Sequence, residues 1–140
     1  MTKKEMSSVL SQASAHEVAS IAQPLKTKYR TGIIKGPIKS LVMVQVRESI
    51  KRSLFYLGEV LVTECIVDME GTSGASVVKG DCFEKALNIA IIDAAINKQV
   101  EEYEEIECQI TALGEFQKKS RAKRNGEILK SRVNFNVMGE

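Results

Sequence analysis

The pattern of apolar and polar positions changes period several times along the chain, and residues 53–96 hold its strongest signals. An aromatic and aliphatic run stops at Gly58, where a glycine inside a strand pattern indicates a bulge or a sharp bend. Residues 59–69 are rich in β-branched side chains, which suit the half-buried surface of a pleated sheet. Residues 70–74 have turn chemistry and residues 75–78 can return as a partner strand. This part of the chain therefore predicts an antiparallel meander.

A thoroughly apolar helix is predicted directly after this meander. Asp81 precedes the helical pattern and Glu84 follows three residues later, which is the spacing of a capping box. The apolar stripe covers well over half of the helix circumference, so we expect a sheet on one side and a further layer on another. Its members are Phe83, Ala86, Leu87, Ile89, Ala90, Ile91, Ile92, Ala94, Ala95 and Ile96.

The N-terminal third of the chain is predicted to be helix followed by strand. Residues 2–26 carry a modest amphipathic stripe with a break near Ser14, and Pro24 indicates that the helix ends about two residues before it. Residues 29–34 predict a short edge strand. Residues 41–47 alternate between apolar and polar positions, which is typical of a half-buried strand.

The C-terminal part of the chain adds two predicted strands around a polar helix. Residues 106–112 and 133–137 alternate like strands, and residues 115–131 form a basic surface helix. Together the elements predict an α+β fold, an antiparallel sheet of about five strands with helices packed on one face. At this length we expect a single domain, residues 1–140.

Composition leaves the partner open and argues against a membrane or secreted protein. A hydrophobic content of 44% and a charged content of 27% are ordinary for a globular protein, and a net charge of +2 implies no particular partner. No apolar run reaches the roughly 18 residues of a membrane span, and the first residues lack the apolar core of a secretory signal. Cys65, Cys82 and Cys108 form no disulfide framework, so we expect a cytoplasmic protein.

Three residues near predicted helix starts are candidates for chemistry. His16 is the single histidine and cannot form a metal site alone, so a solvated helix histidine is favoured. Cys82 stands at a predicted helix start, a position where a reactive thiol is conceivable, but no base is visible nearby and a packing role is favoured. Gly80 and Asp81 could face an anion, yet Asp81 brings its own negative charge, which favours the capping role.

Charged clusters supply two further candidates. Glu59 and Glu64 could be paired catalytic carboxylates, but acids on a strand are more often its solvent face. The basic residues 118–130 could bind nucleic acid, but they include no aromatic platform, so a solvated helix or a dock for an acidic partner is the better interpretation. The residues thus predict no catalytic, cofactor-binding or metal site in this chain, a profile that fits a subunit better than a self-sufficient enzyme.

Four stretches, taken in order, span nearly the whole chain and resemble one known family. They are residues 6–11 (MSSVLS), residues 55–64 (FYLGEVLVTE), residues 78–81 (VKGD) with residues 90–94 (AIIDA), and residues 132–138 (RVNFNVM). On these motifs the chain resembles the G subunit of the bacterial carbon–phosphorus lyase system, the PhnG family. The candidate partner-facing or family-motif residues are Gly58, Glu59, Thr63, Gly80, Asp81, Ile89, Asp93, Arg132 and Phe135.

The resemblance implies a function in organic phosphonate catabolism that composition does not reveal. In that family the G subunit joins a core complex with the H, I and J subunits. With the L protein, the G, H and I subunits form α-D-ribose 1-methylphosphonate 5-triphosphate from ATP and methylphosphonate and release adenine. The iron–sulfur cluster and S-adenosylmethionine belong to the J subunit, so no cofactor is expected on this chain.

Two hypotheses follow for the role of the chain itself. In the first, it is an accessory subunit that docks on the I subunit through apolar surface, because the apolar helix predicted at residues 83–96 needs a partner surface. In the second, it is a stand-alone module that binds a nucleotide or a phosphonate. Self-association of the isolated chain stays open, and neither nucleic acid nor a membrane is expected as a partner.

Overall fold

The computed structural model describes residues 2–47 and 54–138, with side chains omitted at residues 44, 46, 47, 54–57 and 128–138. Two helices come first, then three strands, then two further helices. In chain order these are α1 (Lys3–Gln12), α2 (Ala15–Lys28), β1 (Thr31–Arg47), β2 (Leu54–Met69), β3 (Thr72–Lys79), α3 (Phe83–Lys98) and α4 (Tyr103–Met138).

The strands within the described residues form one antiparallel sheet in the order β1-β2-β3. The prediction of mixed helices and an antiparallel sheet is confirmed, but the prediction of about five strands is wrong. Residues 106–112 and 133–137 lie in α4 instead. The buried side chains Ile106 and Ile110 explain the first error, because a spacing of four residues fits one face of a strand and one face of a helix equally well. Cys108 distinguishes the two, since it is exposed as a helix requires.

The first strand is longer than predicted. The two separate strands expected at residues 29–34 and 41–47 are one strand, β1, with register irregularities between Ile33 and Ile38. Pro37 lies in that irregular part, and a proline is tolerated there because β1 is at the edge of the sheet.

The meander around the second strand is confirmed, including its bulge. Gly58 pairs with Val44 and the next pair joins Gln45 to Tyr56, so one extra residue is inserted in β2 beside the glycine. Glu70 and Gly71 connect β2 to β3 in a two-residue turn with φ of +49° and +95°. Left-handed φ at both positions matches the twist of the flanking strands.

The break near Ser14 is confirmed, but the expected helix end before Pro24 is wrong. The Ser14 hydroxyl accepts from the Glu17 amide at 3.2 Å and caps α2. Pro24 lies inside α2 on its exposed side, where it removes one backbone donor. Buried side chains on both sides of it, Ile21 and Leu25 among them, keep the helix on the core until Lys28.

The apolar helix α3 lies at the centre of the molecule and is covered on two sides, as predicted. One side packs on β2 and β3, and another packs on α2 and α1. Gly74 permits the closest approach, because a Cβ built there would lie 2.3 Å from the Ala90 carbonyl oxygen and 2.3 Å from the Ala94 amide nitrogen. Since the cover comes from the chain itself, the inference that α3 needs a partner surface is wrong.

Capping of α3 differs from the prediction. The helix begins at Phe83 with Cys82 at the N-cap, and no side chain caps it. The prediction that Asp81 caps this helix is therefore wrong. Asp81 forms an ion pair with Lys39 of β1 at 3.1 Å instead, so its carboxylate points to the sheet rather than to the helix amides.

No helix in the described part of the chain is both long enough and apolar enough to cross a membrane.

Candidate functional site

The outer half of the β1–β2 hairpin extends past the rest of the sheet. Strand β3 pairs only with the part of β2 from Val62 to Met69. Residues 54–61 of β2 pair with residues 41–47 of β1 alone, and we call these two segments the β1–β2 arm. A two-stranded hairpin is marginally stable in water unless a further layer packs on it.

The arm carries exposed apolar side chains on both of its faces. Leu41 is 62% exposed, Met43 is 57% exposed, and Val42 between them is also exposed. Because neighbouring strand residues point to opposite faces, Leu41 and Met43 lie on the face that holds α3 further along, and Val42 lies on the other. Leu61 pairs with Leu41 and is exposed too. Contiguous exposed apolar surface of this kind marks an association site.

The base of the arm adds an aromatic ring and an ion pair to this surface. Phe83, at the start of α3, is 46% exposed. The Lys39 ammonium lies 5.9 Å from the centre of that ring and 3.1 Å from the Asp81 carboxylate. A cation in this position is attracted both to the ring and to the carboxylate. These contacts hold Phe83 near Lys39, two residues before the arm begins on β1.

Thr63 joins the arm to the start of α3 through the loop that follows β3. Its fully buried hydroxyl donates to the Gly80 carbonyl at 2.7 Å and accepts from the Cys82 amide at 3.2 Å. The Gly80 amide donates to the Leu61 carbonyl at 2.8 Å, and its φ of +91° suits a glycine. Thr63, Gly80 and Asp81 of the predicted set are thus brought together at one junction.

Asp93 lies at the opposite edge of the sheet, beside β3. Its carboxylate accepts from the Ala75 amide of β3 at 3.0 Å and pairs with Lys3 of α1 at 3.4 Å. Asn97, one turn later, donates to the Ser73 carbonyl at 3.0 Å. Asp93 therefore fastens α3 and α1 to the edge of β3, which is a structural task within the described chain.

The remaining predicted residues are dispersed. Gly58 is at the bulge within the arm, and Glu59 is exposed on the arm opposite Met43. Ile89 is buried in the core of the chain. Arg132 and Phe135 lie on α4 instead of on the predicted strand, and their side chains fall outside the described set.

A polar cluster that the sequence did not suggest joins α2 to the start of α4. The Tyr29 hydroxyl donates to Glu102 at 2.8 Å, and the Lys28 ammonium donates to the same carboxylate and to Glu101 at 3.4 Å. The bond from Lys28, followed by that from Tyr29, lowers the pKa of Glu102. The bond to Glu102 raises the pKa of Lys28 and that of Tyr29. The acidic run after α3 was visible in the sequence, but nothing there showed its partner.

A cleft of about 380 Å³ lies between the α1–α2 junction and α4. Its lining includes Glu17, Arg121 and Arg124, together with Phe116, which is among the exposed large apolar residues. The basic segment predicted to be a surface helix is confirmed as part of α4. The cleft combines guanidinium groups with an aromatic ring, a combination that suits a phosphorylated aromatic ligand.

The other groups considered for chemistry are dispersed. Cys65 is buried, which raises the pKa of its thiol, whereas Cys82 is half-buried and Cys108 is exposed. His16 is exposed on α2. Within residues 2–47 and 54–138, no three metal-ligating side chains gather into a possible metal site. The exposed apolar arm is therefore the feature with the clearest functional meaning.

Comparison with known proteins agrees with the resemblance noted in the sequence. The family model described as phosphonate metabolism protein PhnG matches residues 1–139. No curated protein matches the chain. The family match spans all the elements described above, from α1 to α4.

Proposed function

Because the chain belongs to the PhnG family of phosphonate metabolism proteins, we propose that it is an accessory subunit of a carbon–phosphorus lyase core complex. Its partners are the H, I and J subunits and the L protein. The assembly makes α-D-ribose 1-methylphosphonate 5-triphosphate from ATP and methylphosphonate and releases adenine. In this role the chain is a subunit of a transferase and contributes no catalytic residue of its own.

The observation that supports docking most directly is the exposure of the β1–β2 arm. Its apolar side chains are uncovered in the isolated chain, while the helix α3 is buried by the chain's own elements. Covering exposed apolar surface favours association, because it removes that surface from water. The Thr63 junction holds the base of the arm to α3, so a partner that binds the arm is placed at a defined angle to the whole subunit.

Cofactors are assigned to other subunits in this proposal. ATP is a substrate of the assembly, and the iron–sulfur cluster and S-adenosylmethionine belong to the J subunit. The chain acts by shaping and stabilising the site on the I subunit.

The docking proposal is tested by co-expression with the H, I and J subunits and size-exclusion chromatography. We expect the wild-type chain to co-elute in a stoichiometric complex and Leu41→Asp to be largely absent from it, because a charge on the arm must lose its hydration when the partner covers it. Val77→Asp is the matched control, since Val77 is exposed to a similar degree, 57%, but lies on β3 outside the arm.

Two outcomes would contradict the proposal. A lone wild-type peak beside an intact complex of the other subunits would remove the subunit role itself. Equal incorporation of Leu41→Asp and Val77→Asp would keep the subunit role and place the contact elsewhere than on the arm. Thermal unfolding of both purified variants shows whether either has lost its fold.

The competing function is a stand-alone module for a nucleotide or a phosphonate, and the cleft at α4 is the feature that favours it. Arg121 and Arg124 would contact phosphate or phosphonate oxygens, and Phe116 would stack on a base. Titration calorimetry of the purified chain with ATP and with methylphosphonate separates the two functions. Saturable binding that disappears in the double variant Arg121→Ala, Arg124→Ala would favour the module, and no heat of binding would remove it.

A further inference from the structure

The two edges of the sheet differ in how their backbone groups are satisfied. At the outer edge of β3, the Ala75 amide donates to Asp93 and the Ser73 carbonyl accepts from Asn97, both at 3.0 Å. At the outer edge of β1, no further strand follows in the sheet order of the described residues. An uncovered edge presents a row of free donors and acceptors that can bind another chain.

The β3 contacts also show which backbone groups of β1 point outward. In an antiparallel sheet, residues alternate between bonding one neighbour and the other. Since Ala75 and Ser73 point outward, the residue between Ala75 and Val77, Ser76, bonds β2, where its partner is Cys65. Odd-numbered residues of β2 therefore bond β3, and even-numbered residues, such as Val62, bond β1. Val62 pairs with Ser40, so the next residue, Leu41, directs its N–H and C=O away from the sheet.

This outward alternation is regular over one segment of β1. The pairing with β2 runs without interruption from Ile38 to Val44, with irregularities on both sides of that segment. Lys39, Leu41 and Met43 therefore present their N–H and C=O groups in a row. Among the side chains of the arm that the structure describes, those of Leu41 and Met43 are the most exposed apolar ones.

We infer that this edge of β1, from Ile38 to Val44, receives an extended segment of a partner subunit as an added strand. Main-chain hydrogen bonds to Lys39, Leu41 and Met43 supply the affinity, and alternate side chains of the added strand supply the specificity. The inference rests on the proposed subunit function and states how the partner is held.

Side-chain chemistry favours a partner strand that is apolar and brings no further basic residues. Strand β1 carries Lys35, Lys39 and Arg47 and no acidic residue. A second copy of β1 would place one basic strand beside another, and like charges on neighbouring strands destabilise the pairing. Lys35 and Lys39 already pair with Glu64 and Asp81 within the chain. A segment with apolar residues beside Leu41 and Met43 therefore covers the exposed apolar surface without adding positive charge.

A pair of substitutions at one position tests the inference. Leu41→Pro and Leu41→Ala both remove the leucine side chain, but only the proline removes the outward N–H, and β1 keeps its bonds to β2 in either case. In co-expression with the H, I and J subunits, we expect Leu41→Pro to weaken incorporation about tenfold relative to Leu41→Ala, the effect of roughly 1.4 kcal/mol in binding free energy.

Hydrogen exchange on the wild-type complex gives a test that needs no variant. The amides of Lys39, Leu41 and Met43 should exchange at least tenfold more slowly in the complex than in the free chain, whereas the Ala75 amide, already bound by Asp93, should change little. Unchanged exchange at these three amides, or equal incorporation of the proline and alanine variants, would overturn the strand addition while leaving the subunit function standing.

Two further outcomes distinguish a partner segment from a second copy of the chain at the β1 edge. If the free wild-type chain is a dimer that Leu41→Pro converts to a monomer, the edge binds a second copy and the partner strand is overturned. If the wild-type chain enters no complex with the H, I and J subunits, the proposed function fails, and the inference that rests on it falls with it.

Discussion

At the scale of single residues, small side chains and hydroxyl groups decide how closely the elements of this chain approach one another. Gly74 lets the backbone of α3 lie directly on β3, and Thr63 bonds the loop between β3 and α3 at two points. Both effects depend on contacts between residues that are distant in sequence. The sequence marked Thr63 only as a family-motif residue and Gly74 only as part of a turn, so their contacts emerge only once α3 is placed on the sheet.

Gly74→Ala should destabilise the fold. The added Cβ would lie 2.3 Å from backbone atoms of Ala90 and Ala94, and a helix backbone cannot rotate away as a side chain can. We expect a loss of about 1–3 kcal/mol in the free energy of unfolding, the usual effect of overpacking, measured by urea denaturation.

Gly32→Ala is the control for this substitution. A Cβ at Gly32 meets nothing within 4 Å, and the position lies on the exposed edge strand. Its free energy of unfolding should stay within about 0.5 kcal/mol of wild type. Similar losses at both glycines would show that chain flexibility, and not the contact with α3, sets the effect.

At the scale of elements, hydrogen bonds and ion pairs join the C-terminal end of α2 to the start of α4. Glu102 accepts from both Lys28 and Tyr29, and this cluster connects segments more than seventy residues apart in the chain. Because the pKa of Glu102 is lowered in the folded chain, the carboxylate stabilises the fold above the unfolded pKa of about 4.5. That contribution is lost as the pH falls through the lower, folded value.

Glu102→Gln should therefore lower the melting temperature at neutral pH and have little effect on it in acid. We expect the variant to melt below wild type at pH 7, because the charge-assisted bonds from Lys28 and Tyr29 are weakened. The difference should shrink as the pH falls below about 4.5, where the wild-type carboxylate takes up a proton. Melting curves by circular dichroism between pH 3 and pH 8 measure it.

Glu104→Gln is the matched control, since Glu104 is an exposed acid in the first turn of the same helix. It should leave the pH dependence of the melting temperature unchanged. A constant difference between Glu102→Gln and wild type across the whole pH range would contradict a role for the charge of Glu102.

At the scale of the whole molecule, the chain buries its apolar helix and exposes an apolar hairpin. The sheet, α3 and α2 form successive layers around one core cluster, whereas the β1–β2 arm has strand partners but no covering layer in the described chain. An apolar surface that stays exposed outside the core is suited to bind a partner. This division between core and arm is the basis of the proposed docking.

Ile89→Asp distinguishes the core from the docking surface. Ile89 is buried, so an aspartate there must enter the core without a partner charge, and the isolated chain should lose most of its stability. Leu41→Asp changes an exposed position and should leave the melting temperature of the isolated chain within a few degrees of wild type. A stable, folded Ile89→Asp chain would contradict the central placement of α3.

Much of the fold was accessible from sequence, and the errors have identifiable causes. The meander, the bulge at Gly58, the break at Ser14 and the cover of α3 on two sides follow from local patterns that agree with the tertiary structure. The strand predicted at residues 106–112 failed because its apolar spacing fits two periods. The prediction that Asp81 caps α3 failed because the Asp81 carboxylate forms an ion pair with Lys39, which is distant in sequence.

By itself, the sequence determined most of the local elements and the family, because hydrophobic period, turn chemistry and ordered motifs are properties of neighbouring residues. The tertiary structure decided which apolar residues are buried and which remain exposed, since burial depends on what packs against each side chain. Ile89 and Leu41 are equally apolar in sequence, yet one lies in the core and the other on the open arm. The reason is that α3 covers the sheet mainly at β2 and β3, whereas no layer packs on the outer half of the hairpin in the described chain.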